Sequence, residues 1–465
     1  MILNNLERRA GPAVLVSTVA LAWSTAALAR PEAPPLVCDA YPDAAICAGQ
    51  VATCELCHVS TWPASWNSYG AKIVSALDGG DFEASLADAM ASLDADDSDG
   101  DGLSNLDEMT AGTNPGDEDD VWPTCTLGSE HPDGLPIASE YDLPRALRRV
   151  SLLYCGASPS YDELQAFTEL ADDAARYETL HQTLDACLAG DWWRDEGLPR
   201  LADWRIRPVA AVGKDSPVGI VIGDYEWDYR LWTWAMSGDR DVRDLLLADY
   251  HVDAAGDGTL SPTDGTIGGF PGQPLEPGQR AGMITTQWFF AINTMFSPLP
   301  RTTAAQAYRA YLGNDMAEQQ GIYPVVGEPV DVDEKGVKDD ECATCHSTLD
   351  PLSYAFASYN GITGPNTGTF DPNRPDNLIA GWTDPDTVLF GQTVDGVPGW
   401  AEVAANSDAF KRTVVLTLFL HAFDREPLPD EEESFAAIWR ALPESGWSAN
   451  AMIHRLVDTP SFGVR

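Results

Sequence analysis

Apolar residues along most of the chain follow the period of an α-helix. They recur every three or four positions in several stretches, of which the clearest are 82–93, 143–153 and 410–423. Ser160 directly precedes another such stretch, 161–170, and serine is a residue type that caps helix N-termini. The pattern therefore predicts a mainly α fold.

The first apolar stretch of the chain is of a different kind. Arg8 and Arg9 precede an apolar run over 10–29 that ends in Ala-Leu-Ala, the small-residue pattern that signal peptidase recognises. Glycine, proline, serine and threonine interrupt this run, which makes an uncleaved membrane anchor the weaker alternative. We expect residues 1–29 to be a signal peptide and the mature chain to be periplasmic or secreted, without a transmembrane segment.

Composition excludes some classes of protein. Of the 465 residues 44% are hydrophobic, enough for a sizeable core, so global disorder is not expected. The 72 acidic residues outnumber the 28 basic ones and give a formal net charge of −44. Nucleic acid is excluded as a partner because phosphate binding requires clustered lysine and arginine. The acidity favours either solubility in a salty or calcium-rich medium or the steering of a basic partner.

Two identical motifs carry the chemistry of the chain. Each has the form C-x-x-C-H, which attaches c-type haem: two thiols bond the porphyrin edge covalently, and the next histidine ligates the iron. A thioredoxin-like redox pair would need a βαβ context, and a zinc site would need further cysteine or histidine ligands. The sequence therefore predicts two covalently bound haem c groups, at Cys54, Cys57 and His58 and at Cys342, Cys345 and His346.

A proline follows each of these histidines by five residues. A metal-bound histidine usually donates its second ring N–H to a neighbouring acceptor. We expect the loop carbonyls at Pro63 and Pro351 to accept from His58 and His346, respectively. The alternative is that both prolines only end a turn.

Five further cysteines remain in an oxidising compartment. Cys38 with Cys47, and Cys155 with Cys187, are the disulfides we expect, which leaves Cys125 unpaired. Because five cysteines allow many pairings, sequence alone does not decide among them.

A calcium loop follows the first haem motif. Residues 97–108 match D-x-[DN]-x-[DN]-G-x₅-E over all twelve positions, with a glycine at the sixth. Carboxylates, one backbone carbonyl and a final glutamate form the oxygen cage that Ca²⁺ prefers. A solvated acidic turn is the alternative, and the looser repeat at 253–264 is not expected to bind calcium tightly. The expected ligands are Asp97, Asp99, Asp101, Leu103, Asn105 and Glu108.

Each iron also needs a sixth ligand or an open position. Met90 and Met109, on either side of the calcium loop, are the candidates for the first haem. His421 is the candidate for the second, although a histidine on an apolar helical face is more often a hydrogen-bonded core residue.

Part of the chain resembles a known family. Residues 143–185, 342–361 and 410–427 are similar to planctomycete-type exported cytochrome c proteins, most clearly at Asp350-Pro351-Leu352-Ser353-Tyr354-Ala355-Phe356 after the second motif. The resemblance implies an exported haem protein and brings no substrate with it. Residues 54–115 look like a small haem module fused to a thrombospondin-type-3-like or EF-hand-like calcium motif.

These observations predict a multi-domain c-type cytochrome. We expect an N-terminal haem module with the calcium loop at 30–122, a tryptophan-rich helical domain at 123–300, a second haem module at 301–400 and a C-terminal helical domain at 401–465. The clustered tryptophans are expected to pack in the core rather than to bind a ligand; they are Trp192, Trp193, Trp204, Trp227, Trp232 and Trp234.

The predicted function is electron transfer through two haems, with a structural calcium ion and a basic redox protein as partner. Two alternatives remain open. One is a dihaem peroxidase or oxidase, and the other is a calcium-stabilised acidic surface or matrix protein in which haem has a supporting role.

Overall fold

A computed structural model of the chain describes residues 33–42, 44–47, 52–61, 64–77, 82–118, 141–269, 271–363 and 367–463. The expected signal peptide, Pro63 and Cys125 lie outside them. The fold is mainly α-helical, as expected, and the strands in these ranges form two-stranded antiparallel hairpins. No helix within these ranges has the length and apolar character needed to cross a bilayer.

The N-terminal part of the chain has a small core of its own. Tyr69, Met90 and Met109 are completely buried in it. A disulfide between Cys38 and Cys47, with a Cα–Cα distance of 5.4 Å, closes this part as the sequence predicted. Its elements are α1 Ala33–Ala40, β1 His58–Thr61, β2 Ala64–Trp66, α2 Ser68–Ala76, α3 Phe82–Ala91 and α4 Asn105–Ala111.

The rest of the described chain packs around a second, larger core. Its buried residues run from Ala146 to Phe462 in one cluster, which extends across residues 300 and 400. The helices are α5 Leu143–Tyr154, α6 Tyr161–Thr168, α7 Asp173–Leu188, α8 Leu198–Ile206, α9 Glu226–Met236, α10 Asp244–Leu247, α11 Gln287–Asn293, α12 Arg301–Leu312, α13 Asp340–Tyr354, α14 Arg374–Leu378, α15 Gly396–Asn406, α16 Asp408–Phe423, α17 Glu432–Arg440, α18 Ala449–Val457 and α19 Pro460–Gly463. The hairpins are β3 His251–Ala254 with β4 Leu260–Thr263, and β5 Thr387–Leu389 with β6 Gln392–Val394.

A capping residue and a disulfide define the first helices around this larger core. Ser160 caps α6: its hydroxyl accepts the Glu163 N–H at 3.2 Å, and the Glu163 carboxylate accepts the Ser160 N–H at 2.7 Å. Each side chain thus satisfies a backbone donor that the helix leaves unpaired. The predicted Cys155–Cys187 disulfide then joins the end of α5 to α7.

The tryptophan-rich segment serves mainly as core. Trp193 and Trp232 are buried, as expected, although Trp204 is 46% exposed. The buried guanidinium of Arg205 lies 4.3 Å from the ring centre of Trp204 and 5.1 Å from that of Trp232. Arg205 also donates to the Ala310 carbonyl at 3.0 Å and to the Thr417 hydroxyl. It therefore joins α8 to both α12 and α16.

His421 lies in this core on α16. Its Nε2 is 3.0 Å from the Leu153 carbonyl, and its ring packs against Tyr154 and Trp193. These contacts are those expected of a hydrogen-bonded core residue on an apolar helical face. The loose calcium-like repeat is likewise part of a hairpin, in which the Thr263 hydroxyl donates to Asp253 at 3.0 Å.

The burial of His421 predicts a pH dependence of stability. Burial lowers the pKa of His421, so the unfolded chain binds more protons than the folded one once the pH falls below the ordinary histidine pKa of about 6.5. Stability is thus retained above that pH and lost as the pH falls toward the folded-state pKa. We expect His421→Gln, which keeps an N–H for Leu153, to reduce this loss by up to about 1.4 kcal/mol per pH unit. Urea unfolding at pH 7.5 and 5.5 measures the free energy of unfolding of both proteins. An equal loss of stability in wild type and variant would contradict the role of His421 in the pH dependence.

Two candidate haem sites and a candidate calcium site

The second C-x-x-C-H motif lies on α13. Cys342 is exposed and Cys345 is half-buried, and neither is in a disulfide. The Cys345 thiol points toward the Met316 carbonyl at 3.8 Å. Both thiols are therefore available one helical turn apart, followed immediately by His346.

A buried carboxylate holds the His346 ring. Nδ1 of His346 is 2.8 Å from Oδ1 of Asp350, whose side chain is completely buried. Arg301, the first residue of α12, donates to both oxygens of Asp350 at 2.6 and 2.8 Å. The same guanidinium donates to both oxygens of Asp333 at 2.7 and 2.8 Å. Burial alone would lower the pKa of Arg301, but the hydrogen bonds to the two carboxylates outweigh it and raise that pKa.

This arrangement differs from the one expected for Pro351. The acceptor beside His346 is the Asp350 side chain, and Pro351 neither offers its carbonyl nor ends a turn, because it lies inside α13. Having no N–H, it cannot bond the Ser347 carbonyl one turn earlier. The Val325 N–H donates to that carbonyl instead, at 3.0 Å. Pro351 therefore leaves the Ser347 carbonyl of α13 free to accept a hydrogen bond from the segment around Val325.

The first motif has a different local structure. Cys54–Leu56 form a short 3₁₀ helix, and His58 begins β1, where its ring stacks on Trp66 with centres 4.3 Å apart. Neither Cys54 nor Cys57 is in a disulfide. This motif is thus a turn followed by a strand rather than part of a long helix.

Asn67 and Gly70 clamp this turn. The Asn67 amide donates to the carbonyls of Glu55 and Leu56, both at 3.0 Å, and its backbone N–H donates to the Cys57 carbonyl at 3.0 Å. A β-carbon at Gly70 would lie 2.1 Å from the Cys57 carbonyl oxygen, so only glycine permits this approach of α2. The sequence Asn-Ser-Tyr-Gly after the motif therefore has a direct structural purpose.

Burial governs ionisation at the first motif. It raises the pKa of the Cys57 thiol to about 12, so that this thiol stays protonated at neutral pH. Burial also lowers the pKa of His58, an effect that the Ser65 carbonyl opposes. Nδ1 of His58 is buried and has no hydrogen-bond partner within the described ranges. Thiols whose pKa is raised are poor nucleophiles, which does not suit a reactive redox dithiol.

Tyr323 contacts the helix of the second motif and is within electrostatic range of the first. Its backbone N–H donates to the Thr348 hydroxyl on α13 at 2.9 Å. Burial raises the pKa of the Tyr323 phenol, and negative charge at Cys54 and Glu55 raises it further. The backbone of Tyr323 is therefore bonded to the helix that carries the second motif, while its phenol is influenced by the charges at the first motif.

The calcium loop is folded as a cage. Carboxylate oxygens of Asp97, Asp99 and Asp101 lie within 4.8 Å of one another. One oxygen each of Asp99 and Asp101 is buried and lacks a hydrogen-bond partner among the residues described, as expected of an oxygen that faces an ion. Gly102 has φ +101°, which allows the turn at the sixth position of the loop.

The remaining loop positions combine ligation and support. Glu108, the twelfth position, is completely buried on α4. Leu103, the expected carbonyl ligand, has its N–H bonded to Asp101 at 2.7 Å. Asn105 ties the loop to its surroundings: its oxygen accepts the Ser98 N–H at 3.1 Å, and its amide donates to the Leu93 carbonyl at 2.6 Å.

Met109 connects the calcium loop to the first haem motif. It follows Glu108 on α4, and the Tyr69 hydroxyl donates to its sulfur at 3.7 Å. Burial raises the pKa of Tyr69, and the next largest influence is the charge of Cys57, so Tyr69 lies beside the motif. Met90 is also completely buried in this core. Of the two methionines, Met109 is the one bonded to Tyr69, and Tyr69 lies near Cys57 of the first haem motif.

Both motifs fit a covalently attached porphyrin. Within the described ranges, the three side chains placed to hold a metal ion together are Asp97, Asp99 and Asp101. Apolar side chains are exposed next to each motif, and a flat apolar cofactor would cover them. They are Val59 (74%) and Trp66 (40%) at the first and Val326 (86%) and Val330 (41%) near the second.

No protein-family model, curated protein or solved structure matches the chain. Three residues around the motifs were not singled out from the sequence: Arg301, Asp333 and Tyr323. Asp350 carried a usable signal, because a residue four positions after His346 on a helix lies on the same face.

The cage predicts a specific loss of calcium binding. Glu108→Gln removes one carboxylate from the loop at nearly constant size. We expect calcium affinity to fall by more than the roughly 10- to 100-fold that loss of an outer-shell partner costs. Isothermal titration calorimetry measures the affinity, and Asp96→Asn, an exposed carboxylate just before the loop, is the matched control. Equal affinities for the two variants would show that the loop is only an acidic turn.

Proposed function

We propose that the chain is an exported dihaem c-type cytochrome that transfers electrons. The observation that carries this proposal is the pair of C-x-x-C-H motifs, whose four thiols are outside disulfides. Two one-electron sites in one chain suit a relay within one molecule.

The chemistry of the side chains indicates the role of each residue in the two motifs. Cys54 and Cys57 would bond one porphyrin and Cys342 and Cys345 the other, while the adjacent histidine of each motif would ligate the iron. Haem supplies reversible one-electron exchange when bound. The protein holds each histidine, limits the access of water, and spaces the two sites.

Calcium has a structural part in this proposal. Bound by Asp97, Asp99, Asp101 and Glu108, it would hold α4 in place, and with it Met109 in the core of the first module. Met109 is then the favoured sixth ligand of the first iron, because Tyr69 links it to the Cys57 region. A methionine ligand would raise the potential of that haem.

Other features support export and electron exchange. The apolar N-terminal stretch with its Ala-Leu-Ala end favours export. The resemblance to an exported cytochrome family favours export as well. The small core of the N-terminal part, distinct from the large core that follows, supports an N-terminal module. The net charge of −44 favours a basic redox protein as the partner.

The first test counts the haems. Mass spectrometry of protein matured with a haem-ligation system should show two haem masses that survive denaturation, because thioether bonds are covalent. Cys54→Ala with Cys57→Ala should remove one haem, and Cys342→Ala with Cys345→Ala should remove the other. Cys155→Ala with Cys187→Ala, which breaks a disulfide in the larger core and outside both motifs, is the control and should keep both. A wild-type protein with fewer than two haems would refute the proposal.

The second test concerns the partner. Reduction by a small basic cytochrome should be fast at low salt and should slow steeply as the Debye length falls from about 30 Å at 0.01 M to about 10 Å at 0.1 M. An acidic donor should show the opposite trend. Stopped-flow absorbance with both donors measures the rates, and flat salt profiles for both would remove the basic partner while leaving the haem assignment intact.

Spectra of the holoprotein separate the carrier from the enzyme alternative. A carrier with both irons fully ligated should be entirely low-spin in electronic and EPR spectra. A high-spin, five-coordinate fraction would indicate an open iron position and favour a peroxidase or oxidase.

A further inference from the structure

The two proximal histidines have different surroundings. Nδ1 of His346 is 2.8 Å from a carboxylate oxygen, whereas Nδ1 of His58 is buried without a hydrogen-bond partner in the part of the chain that the structure describes. The ring of His58 stacks on Trp66, and the polar group acting on it is the uncharged carbonyl of Ser65. The motifs are identical in sequence but not in the group behind the iron ligand.

The Asp350 carboxylate decides which nitrogen of His346 carries the proton. Both of its oxygens accept hydrogen bonds from Arg301, so Asp350 meets the His346 ring as a carboxylate acceptor. Nδ1 of His346 must therefore be the donor. The lone pair is left on Nε2, the nitrogen that ligates iron in a c-type site.

The bond also changes the strength of the ligand. An imidazole that donates to a carboxylate is more basic than one that does not, and a more basic ligand stabilises the more highly charged ferric iron. The group behind the ring adds to this effect: Asp350 and Asp333 together carry two negative charges, and Arg301 balances only one. Since all three side chains are largely or fully buried, water screens this excess charge poorly.

We propose that Asp350, held in place by Arg301, makes the second haem the lower-potential of the two, so that electrons pass from the second site to the first. This inference rests on the proposed function. In each transfer one electron leaves ferrous iron at the second site, which becomes ferric, and reduces ferric iron at the first site to ferrous; no proton or further reactant is needed. Asp350 is a positioning residue, since it acts through His346.

The test is a spectroelectrochemical titration of the full-length holoprotein. Wild type should give two one-electron waves, and Cys54→Ala with Cys57→Ala should leave the more negative one. Asp350→Asn keeps the shape and an oxygen acceptor but removes the charge behind His346. It should raise the midpoint potential of the more negative wave. The expected rise corresponds to at least a tenfold fall in the ferric-to-ferrous ratio at fixed applied potential, which is 59 mV for one electron.

Asp333→Asn is the matched control. It removes the same charge from the same arginine but leaves the contact between Asp350 and His346 untouched. Its more negative wave should shift clearly less than that of Asp350→Asn, and its ferric EPR g values should stay those of wild type. Equal shifts in the two variants would overturn the inference, because they would show a general charge effect that does not act through the histidine.

The remaining outcomes are equally decisive. A more negative wave that disappears with Cys54 and Cys57 would reverse the order of potentials and overturn the inference while leaving a dihaem protein. A wild type without a second haem mass would refute the proposed function itself. Should Asp350→Asn fail to retain haem, Arg301→Lys replaces it: lysine keeps the charge but loses the fork that holds Asp350, and it should raise the same wave, whereas an unchanged wave would contradict the role of Arg301.

Discussion

The ion pair between Arg301 and two buried aspartates organises the second site. Removing charges from water is costly, and breaking a buried pair by removing one partner typically costs about 3–5 kcal/mol. Arg301 lies at the start of α12, Asp350 lies in α13, and Asp333 lies in the loop between these helices. The pairing is satisfied only when all three elements are in place. The orientation of His346 is therefore a consequence of the packing of α12 against α13.

The small N-terminal core is stabilised in a different way. It contains few buried residues, and cores of that size rarely support a fold without covalent or metal cross-links. The Cys38–Cys47 disulfide closes one end, and the calcium loop leads into α4 at the other. Glu108, Met109, Tyr69 and Cys57 connect the loop to the haem motif. Calcium binding and haem attachment would stabilise one folding unit rather than two.

The sequence predicted the features whose signals are local. The haem motifs, the calcium loop, the Ser160 cap and the two disulfides all depend on residue type and short spacing, and the structure shows the cap and both disulfides. The partners of Asp350 and His421 could not be predicted in the same way, because Arg301 precedes Asp350 by 49 residues and Leu153 precedes His421 by 268. Pro351 was misread for a related reason. Its missing N–H matters only because Val325, distant in sequence, supplies a donor to the carbonyl that is left unpaired.

The placement of the basic residues bears on how the protein meets a partner. Only five lysines are present, and several arginines are buried where they bind backbone carbonyls: Arg205 at Ala310, Arg280 at Leu275 and Arg374 at Ala357. These guanidiniums stabilise loops and helix contacts and cannot form ion pairs with another protein. The accessible surface is thus more uniformly acidic than the count of charges suggests. Such a surface would attract a basic protein through its long-range field more than through individual ion pairs, which favours fast association and fast release. An encounter of that kind would suit the electron exchange proposed above.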